Sequence, residues 1–421
     1  MSEIIIKPKG KLSGNIKISG SKNASLPIMA ACLLTNGKNR IFNVPKLSDI
    51  NTMCILLEET GAIVSQNENY IEIDSSNISN PHSDYNLANK LRGSFLISGP
   101  LLARLGKVKI PFPGGCPIGT RPIDLHLKGF SLLGAEISQC HGYVELSAKK
   151  LRGKKIYLDF PSVGATENIM MAASLATGTT IIENAATEPE ISDLANFFNK
   201  QGAKIAGAGN DTIIIEGVDS LIPVSHTVIP DRIEAGTFML AFAITRGTGK
   251  IQNINYEHIK PVAAKLIEMG IKLKYHDDFI DIDATQPLHT ADIKTLPFPG
   301  FPTDMQAPFS SLLSVSHGTS IVTETVFENR FLHINELNRM GAKIKIDGRT
   351  SVIEGVENLT GAHVNAMDLR GGAALVLAGL VANGETRICG VEHIKRGYEN
   401  IDEKLRSLGA NIELLNIRKG Q

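Results

Sequence analysis

Charge of one sign is missing from this sequence, since 43 Lys and Arg are matched by 43 Asp and Glu. That balance excludes the broad basic field that drives nonspecific binding to nucleic acid or anionic membranes, so any anion binding must be local. Long apolar runs are missing too. No stretch reaches the roughly 18 residues of a membrane-crossing helix, and the opening "MSEIIIKPKGK" sets a short Ile run between charges, unlike a secretory signal. The expectation is a cytoplasmic protein with neither membrane nor nucleic-acid partners. Cysteine is scarce, at Cys32, Cys54, Cys116, Cys140 and Cys389, with no C-x-x-C pair to suggest zinc or a redox couple. An odd, dispersed set argues against a disulfide framework, and Cys32, Cys54 and Cys389 read as small buried hydrophobes.

Several catalytic signatures are absent as well: no G-x-x-x-x-G-K-[ST], no H-E-x-x-H and no G-x-S-x-G. The "GAGND" at Gly207 is an incomplete dinucleotide fingerprint placed in a turn. The 11 histidines show no metal-ligand spacing, and His126, His258, His333 and His393 are expected in loops or at the surface.

What is present is a large core and a repeat. With 421 residues, 43% hydrophobic and 20% charged, the chain is globular and long enough for two or three domains. A helix ending in Gly and followed by Ala or Ile recurs six times, in "LLEETGAIV", "FSLLGAEI", "FNKQGAKI", "IEMGIKL", "LNRMGAKI" and "RSLGANI". The glycines are Gly61, Gly134, Gly202, Gly270, Gly341 and Gly409, a period of about 70 residues. Each reads as a left-handed C-cap, and alternating segments such as "AKIKIDG" and "TSVIEG" read as the strands that follow. Each repeat also holds an apolar helix with little charge on any face, from "SLPIMAACLL" to "GGAALVLAGLVANG". Such helices are expected to be surrounded by other elements. Three repeats make a domain, which predicts two domains dividing near "SHTVIPDRIEAG".

Polar residues gather just before these helices: Lys22 with Asn23, Arg92, Ser162, Asp231 with Arg232, Asp304, and Asp368 with Arg370. Ser, Asp and Asn there fit helix caps. Lys22 and Arg92 cannot cap, and a cation beside the positive end of a helix is tolerated more readily when an anion is bound there. The segment "PFPGGCPIGTRPIDLH", Pro111 to His126, is too rich in Pro and Gly for a regular element. It displays the Cys116 thiol with Arg121 nearby, and a thiol among cations ionises more easily and suits chemistry on an anionic substrate.

The motifs "SGSKNASLPI", "PGGCPIGTRPIDLH", "PSVGATENIM", "PDRIEAGTFM", "FPTDMQAPF", "TETVFENRF" and "RGYENIDEKL" resemble, in order and through nearly the whole chain, the enolpyruvyl transferase family in its nucleotide-sugar branch. The resemblance implies an α/β fold, the two-domain inside-out α/β barrel with buried helices. One domain would span 22–229, and the other 1–21 plus 230–421, with the active site in the cleft. It implies transfer of the enolpyruvyl group of phosphoenolpyruvate to the 3′-hydroxyl of UDP-N-acetylglucosamine with release of phosphate, at the first committed step of peptidoglycan synthesis. No metal or cofactor is implied.

By the same resemblance Cys116 is the general acid, also able to form a covalent adduct, and Asp304 is the base at the sugar hydroxyl. Lys22, Arg121 and Arg396 clamp phosphate and carboxylate. Asn23, Arg92, Arg121, Pro122, Ile123, Asp124, Leu125, Ser162, Val163, Gly164 and Val326 bind the nucleotide sugar, while Arg330 and Arg370 line the cleft. The backbone N–H groups of "SVGAT", opening a buried helix, suit a diphosphate. Ser48 and Phe160 stand where some members carry lysine, with Lys46 nearby. Two alternatives stay open: the shikimate-pathway enolpyruvyl transferase, and a non-catalytic paralogue that binds the nucleotide sugar. The sequence leaves oligomeric state undetermined.

Overall fold

The computed structural model describes residues 2–113, 119 and 122–416. Cys116 and Arg121 lie outside the described residues. The repeat seen in the glycines takes the form strand, inner helix, strand, outer helix and a two-stranded hairpin. In one copy these are Lys155–Tyr157, Val163–Ala173, Thr179–Glu183, Pro189–Lys200, Lys204–Ala206 and Thr212–Glu216. The first two strands pair in parallel, because the inner helix is a crossover connection, and the hairpin adds antiparallel strands on the other side. The same order recurs where Ile293–Lys294 lies parallel to Thr319–Thr323, which pairs antiparallel with Thr350–Glu354 and through it with Lys343–Asp347.

Among the described residues there are six sheets, five of four strands and one of three. The three-stranded one comprises Lys107–Pro111, Tyr143–Ser147 and Glu136–Cys140. Where a fourth strand would pair, the chain makes only an isolated bridge from His82 to Lys109. The chain divides into two compact units, one formed by 2–19 with 230–416 and the other by 20–113 with 122–229. Each holds three of the sheets. The N-terminal segment supplies two strands to the first unit. Ser2–Lys7 lies between Thr386–Cys389 and Asn411–Asn416, antiparallel to both, and Ser13–Lys17 runs parallel to Thr248–Gln252.

The inner helices are buried nearly all round, as their even apolar character requires. From Ile233 to Ile244 every residue of the helix Arg232–Ile244 is buried, and so is Arg370 to Gly379 in Leu369–Gly379. Outer helices are amphipathic: Pro189–Lys200 buries Ile191, Leu194, Phe197 and Phe198 while Lys200 faces solvent. Full burial of a Leu, Ile or Phe contributes roughly 1.5–3 kcal/mol. The six periodic glycines all adopt the left-handed conformation, with φ from 89° to 102°. Among the described residues no helix is long and apolar enough to cross a membrane.

His126, His258 and His393 lie partly exposed on the helices Asp124–Leu132, Tyr256–Glu268 and Val391–Ile394, and His333 on Leu332–Arg339 departs from the expected loop or surface position. His333 is buried outright. Its apolar neighbours Phe331, Ile334 and Leu337 draw this face of the helix into the core. Cys32 and Cys54 are buried as expected, and burial raises both thiol pKa values, Cys54 to about 11. Cys389 is only half-buried, its sulfur 3.4 Å from Glu3.

Backbone contacts close each of two repeats on itself through a second set of glycines. An ideal Cβ on Gly355 would fall 1.6 Å from the Ser316 carbonyl oxygen, and one on Gly217 would fall 1.6 Å from that of Ala176. Both glycines follow the last hairpin strand of a repeat and press it against the end of the inner helix. Gly355→Ala is expected to force these backbones apart and cost about 1–3 kcal/mol. A lower urea midpoint with unchanged m value would register it.

Candidate active site

Within each unit the three inner helices start at a common end. In one unit Gly93 packs on Leu26, and Asn168 bonds both the Phe95 carbonyl, at 2.9 Å, and the Gly99 N–H, at 2.9 Å. Gly99 also faces Met171, so neighbouring helices advance together and their starts coincide. Those starts carry Lys22 and Asn23, Arg92, and Ser162 to Gly164. Ser21 caps the helix Lys22–Ala31 by accepting from the Ala24 N–H, and Ser162 caps Val163–Ala173 through the Ala165 N–H. Lys22 is answered by Asp49, 3.5 Å away and buried in the first turn of Ser48–Glu59. Asp49 was not singled out from sequence, although it directly precedes the apolar pattern of an outer helix. Pro122 to Leu125 leads into Asp124–Leu132, whose His126 ring stands over Gly164 and lies 3.0 Å from the Asn168 side-chain nitrogen. Phe160 is exposed and Ser48 opens its helix.

In the other unit the same end carries Asp231, Asp304 and Asp368. Asp231 caps Arg232–Ile244 by accepting from Ile233 and Glu234 at 2.8 and 3.0 Å, and Asp368 caps Leu369–Gly379 through Arg370 and Gly371 at 2.9 and 3.0 Å. Asp304 is gripped by two arginine side chains. It sits in the 3-10 turn Thr303–Met305 and accepts from Arg330 at 2.7 Å on one oxygen and from Arg370 at 3.1 and 2.8 Å on the other. Both guanidiniums are buried, while the Asp304 side chain keeps 26% of its surface open. Arg330 Nε and Arg370 Nη1 are buried without a hydrogen-bond partner among the described residues. A buried donor left unmade costs roughly 1–3 kcal/mol, which a ligand oxygen would recover.

Burial opposes the Arg370 charge, but Asp304 first, then Tyr398 and Asp231, outweigh it, so its pKa stands above the usual arginine value. Its guanidinium lies 5.3 Å from the centre of the Tyr398 ring, and the Tyr398 hydroxyl is 2.9 Å from Thr237 Oγ1. Arg396 is half-buried in the turn after Val391–Ile394, next to Gly397, which packs on Leu369 at the start of the Arg370 helix. Val326 is held by Glu324, which sequence reasoning missed. This buried carboxylate accepts from Thr295, Thr303 and the N–H groups of Val326 and Phe327 at 2.8–3.1 Å, fixing both the Asp304 turn and the 325–330 loop.

A family model described as EPSP synthase (3-phosphoshikimate 1-carboxyvinyltransferase) matches residues 6–405. The chain belongs to the EPSP synthase family. Within that family it is 56% identical, over 98% of this chain and 99% of the relative, to UDP-N-acetylglucosamine 1-carboxyvinyltransferase 2 of Carboxydothermus hydrogenoformans. It is 55% identical, over 98% and 99%, to UDP-N-acetylglucosamine 1-carboxyvinyltransferase 1 of Caldanaerobacter subterraneus subsp. tengcongensis. The enolpyruvyl transferase NikO from Streptomyces tendae superposes with a TM-score of 0.89 over 98% of each chain at 24% identity, a likeness of fold. The two-unit, inside-out α/β architecture with buried helices is thus the fold of this EPSP synthase-family member.

Asp304 neutralises two buried cations, and removing it would leave them facing each other. Breaking a buried pair costs about 3–5 kcal/mol, less where the shared partner is partly open to water. Asp304→Ala is therefore expected to cost about 2–3 kcal/mol of folding stability, measured as a lower midpoint in urea.

Proposed function

We propose that the protein transfers the enolpyruvyl group of phosphoenolpyruvate to the 3′-hydroxyl of UDP-N-acetylglucosamine, releasing phosphate at the first committed step of peptidoglycan synthesis in the cytoplasm. The observation that carries this reading is the pairing of Asp304 with two buried arginines, in a chain more than half identical over its length to relatives named for that acceptor.

In this reading Asp304 takes the proton of the 3′-hydroxyl as the oxygen bonds to C2 of phosphoenolpyruvate. Cys116 delivers a proton to the methylene carbon, and a tetrahedral intermediate forms. The Cys116 thiolate left by the first step then removes a methyl proton as the C2–O bond to phosphate breaks and the double bond returns, and Asp304 gives its proton to the departing phosphate or solvent, so protons and electrons balance without a cofactor. Two arginines on one carboxylate hold the base in a single orientation, which general base catalysis requires. The Arg330 Nε and Arg370 Nη1 donors, unpaired among the described residues, are suited to substrate oxygens. Lys22, Arg121 and Arg396 would hold phosphate and carboxylate as negative charge builds. Asn23, Arg92, Pro122 to Leu125, the capped start Ser162 to Gly164, and Val326 would bind the nucleotide sugar. The family description names a shikimate acceptor instead, and relatives above 50% identity favour the nucleotide sugar.

Phosphate release from phosphoenolpyruvate, measured with UDP-N-acetylglucosamine and separately with shikimate 3-phosphate, distinguishes the acceptors. Release that depends on the nucleotide sugar is expected. Release only with shikimate 3-phosphate would overturn the acceptor, and tight nucleotide-sugar binding without turnover would indicate a binding-only paralogue. Asp304→Asn should lower kcat by about 100-fold or more while changing KM for the nucleotide sugar far less; a pure KM effect would assign Asp304 to positioning. Cys116→Ala should abolish both turnover and labelling by an epoxide of the fosfomycin type.

A further inference from the structure

Glu324 directly follows the strand Thr319–Thr323 and is 1% exposed. A carboxylate taken so far out of water is tolerated only where hydrogen bonds replace its hydration. Among the described residues four donors do so, and none is a cation. Oε1 accepts from the Thr295 hydroxyl at 2.8 Å and from the Val326 and Phe327 N–H groups at 2.8 and 3.1 Å, while Oε2 accepts from the Thr303 hydroxyl at 2.8 Å. Thr295 Oγ1 already accepts from the Thr325 N–H at 2.9 Å, so its own hydrogen goes to Glu324. Two acceptor oxygens suit this set of donors, which a side-chain amide would only half match.

The carboxylate is mounted on the end of a sheet. Its own N–H donates to the Arg349 carbonyl at 2.8 Å, in the turn before Thr350–Glu354. Thr295 continues the edge strand Ile293–Lys294 by donating its N–H to the Thr323 carbonyl at 3.0 Å, and the Thr325 hydroxyl bonds back to the Thr295 carbonyl at 2.5 Å. The chain after Thr295 returns at Phe301, whose carbonyl accepts from the Leu296 N–H at 3.0 Å, and then enters the turn Thr303–Met305. Asp304 is reached from Glu324 by two routes. One runs through Thr303, its neighbour in the chain. The other runs through Phe327, whose N–H binds Oε1 and whose ring centre lies 5.2 Å from the Arg330 guanidinium; Arg330 in turn donates to Asp304 at 2.7 Å. Turn, carboxylate and loop close a ring, and each oxygen of Glu324 serves one side of it.

We propose that Glu324 is a positioning residue for the reaction: with Thr303 on one oxygen and the Val326–Phe327 backbone on the other, it sets Asp304 in register with Arg330. The proposal rests on the reading of Asp304 as the base. Because the two sides use different oxygens, the turn can be released while the loop stays bound.

The test uses that separation, each variant first checked for wild-type circular dichroism. Thr303→Val keeps the side chain's shape and removes the Oε2 bond alone, so kcat should fall by about 10–100-fold, as it does for a displaced catalytic group. KM for the nucleotide sugar should stay within about threefold, since only the base has moved. Thr303→Ser keeps the hydroxyl and should hold kcat within about threefold of wild type, well inside the misplacement penalty. Glu324→Gln, with its oxygen on the two backbone N–H groups, turns its amide toward Thr303 and reverses the same bond. Its loss should therefore overlap with that of Thr303→Val, the double variant turning over about as fast as the slower single one, a coupling that separate packing defects would not give. Wild-type kcat in Thr303→Val, an equal loss in Thr303→Ser, a loss confined to KM, or additive effects in the cycle would each overturn the proposal. Should Glu324→Gln fail to fold, the two Thr303 variants decide alone.

Crystals give a readout apart from turnover. In Thr303→Val the bond from Arg330 to Asp304 should lengthen beyond hydrogen-bond distance, and in Thr303→Ser it should keep the 2.7 Å of the wild type. An unchanged bond in Thr303→Val overturns the proposal. If the wild-type protein shows no turnover, the functional reading fails, and these structures alone decide whether Glu324 sets the pairing of Asp304 with Arg330.

Discussion

Burying a helix on every face leaves it one place to meet anything polar, which is its ends. The first turn carries N–H groups that the helix itself cannot pair, together with the positive end of its dipole. Six helices of this kind fill the two units, and all the chemistry that their flanks exclude collects at their starts. Four starts are closed by their own side chains, Ser21, Ser162, Asp231 and Asp368. The start of Gln306–Leu313 lacks such a cap, and the turn before it holds Asp304. The repeat thus produces equivalent positions that differ in side chain, and those differences are where a function can be built without disturbing the core.

Local demands were legible in the sequence. A glycine after an apolar periodic run is required where the chain turns through the left-handed region, so Gly61 to Gly409 revealed six repeats from spacing alone. Buried helices were legible because "GTFMLAFAITRG" has no polar face to offer solvent. Pairing across long separations was not. Ser2–Lys7 joins strands some 400 residues away, and nothing within its six residues names Thr386–Cys389 as its partner. The site divides in the same way. Asp304, Arg330 and Arg370 were nominated by motif resemblance, but that both arginines grip one carboxylate depends on contacts 26 and 66 residues apart. Glu324 lies within "TETVFENRF", yet its role could not be read there, because burial decides that role and burial belongs to the fold. The thiol loop was legible by composition, its prolines and glycines being unsuited to any regular element.

Arg370 shows how structure and chemistry constrain each other at this site. A cation in the first turn of a helix opposes the dipole, and one with only 3% of its surface exposed also forfeits most of its hydration. Two carboxylates offset this from different sides. Asp368 satisfies the backbone N–H groups of Arg370 and Gly371, and Asp304 takes the guanidinium itself. Asp304 can therefore neither move nor be replaced freely, since Arg370 and Arg330 would be left buried without it. A base used once per turnover is held between turnovers by the same cations whose burial it makes tolerable. Its freedom to accept a proton from a substrate then depends on how Arg330 and Arg370 share it, since each takes one of its two oxygens.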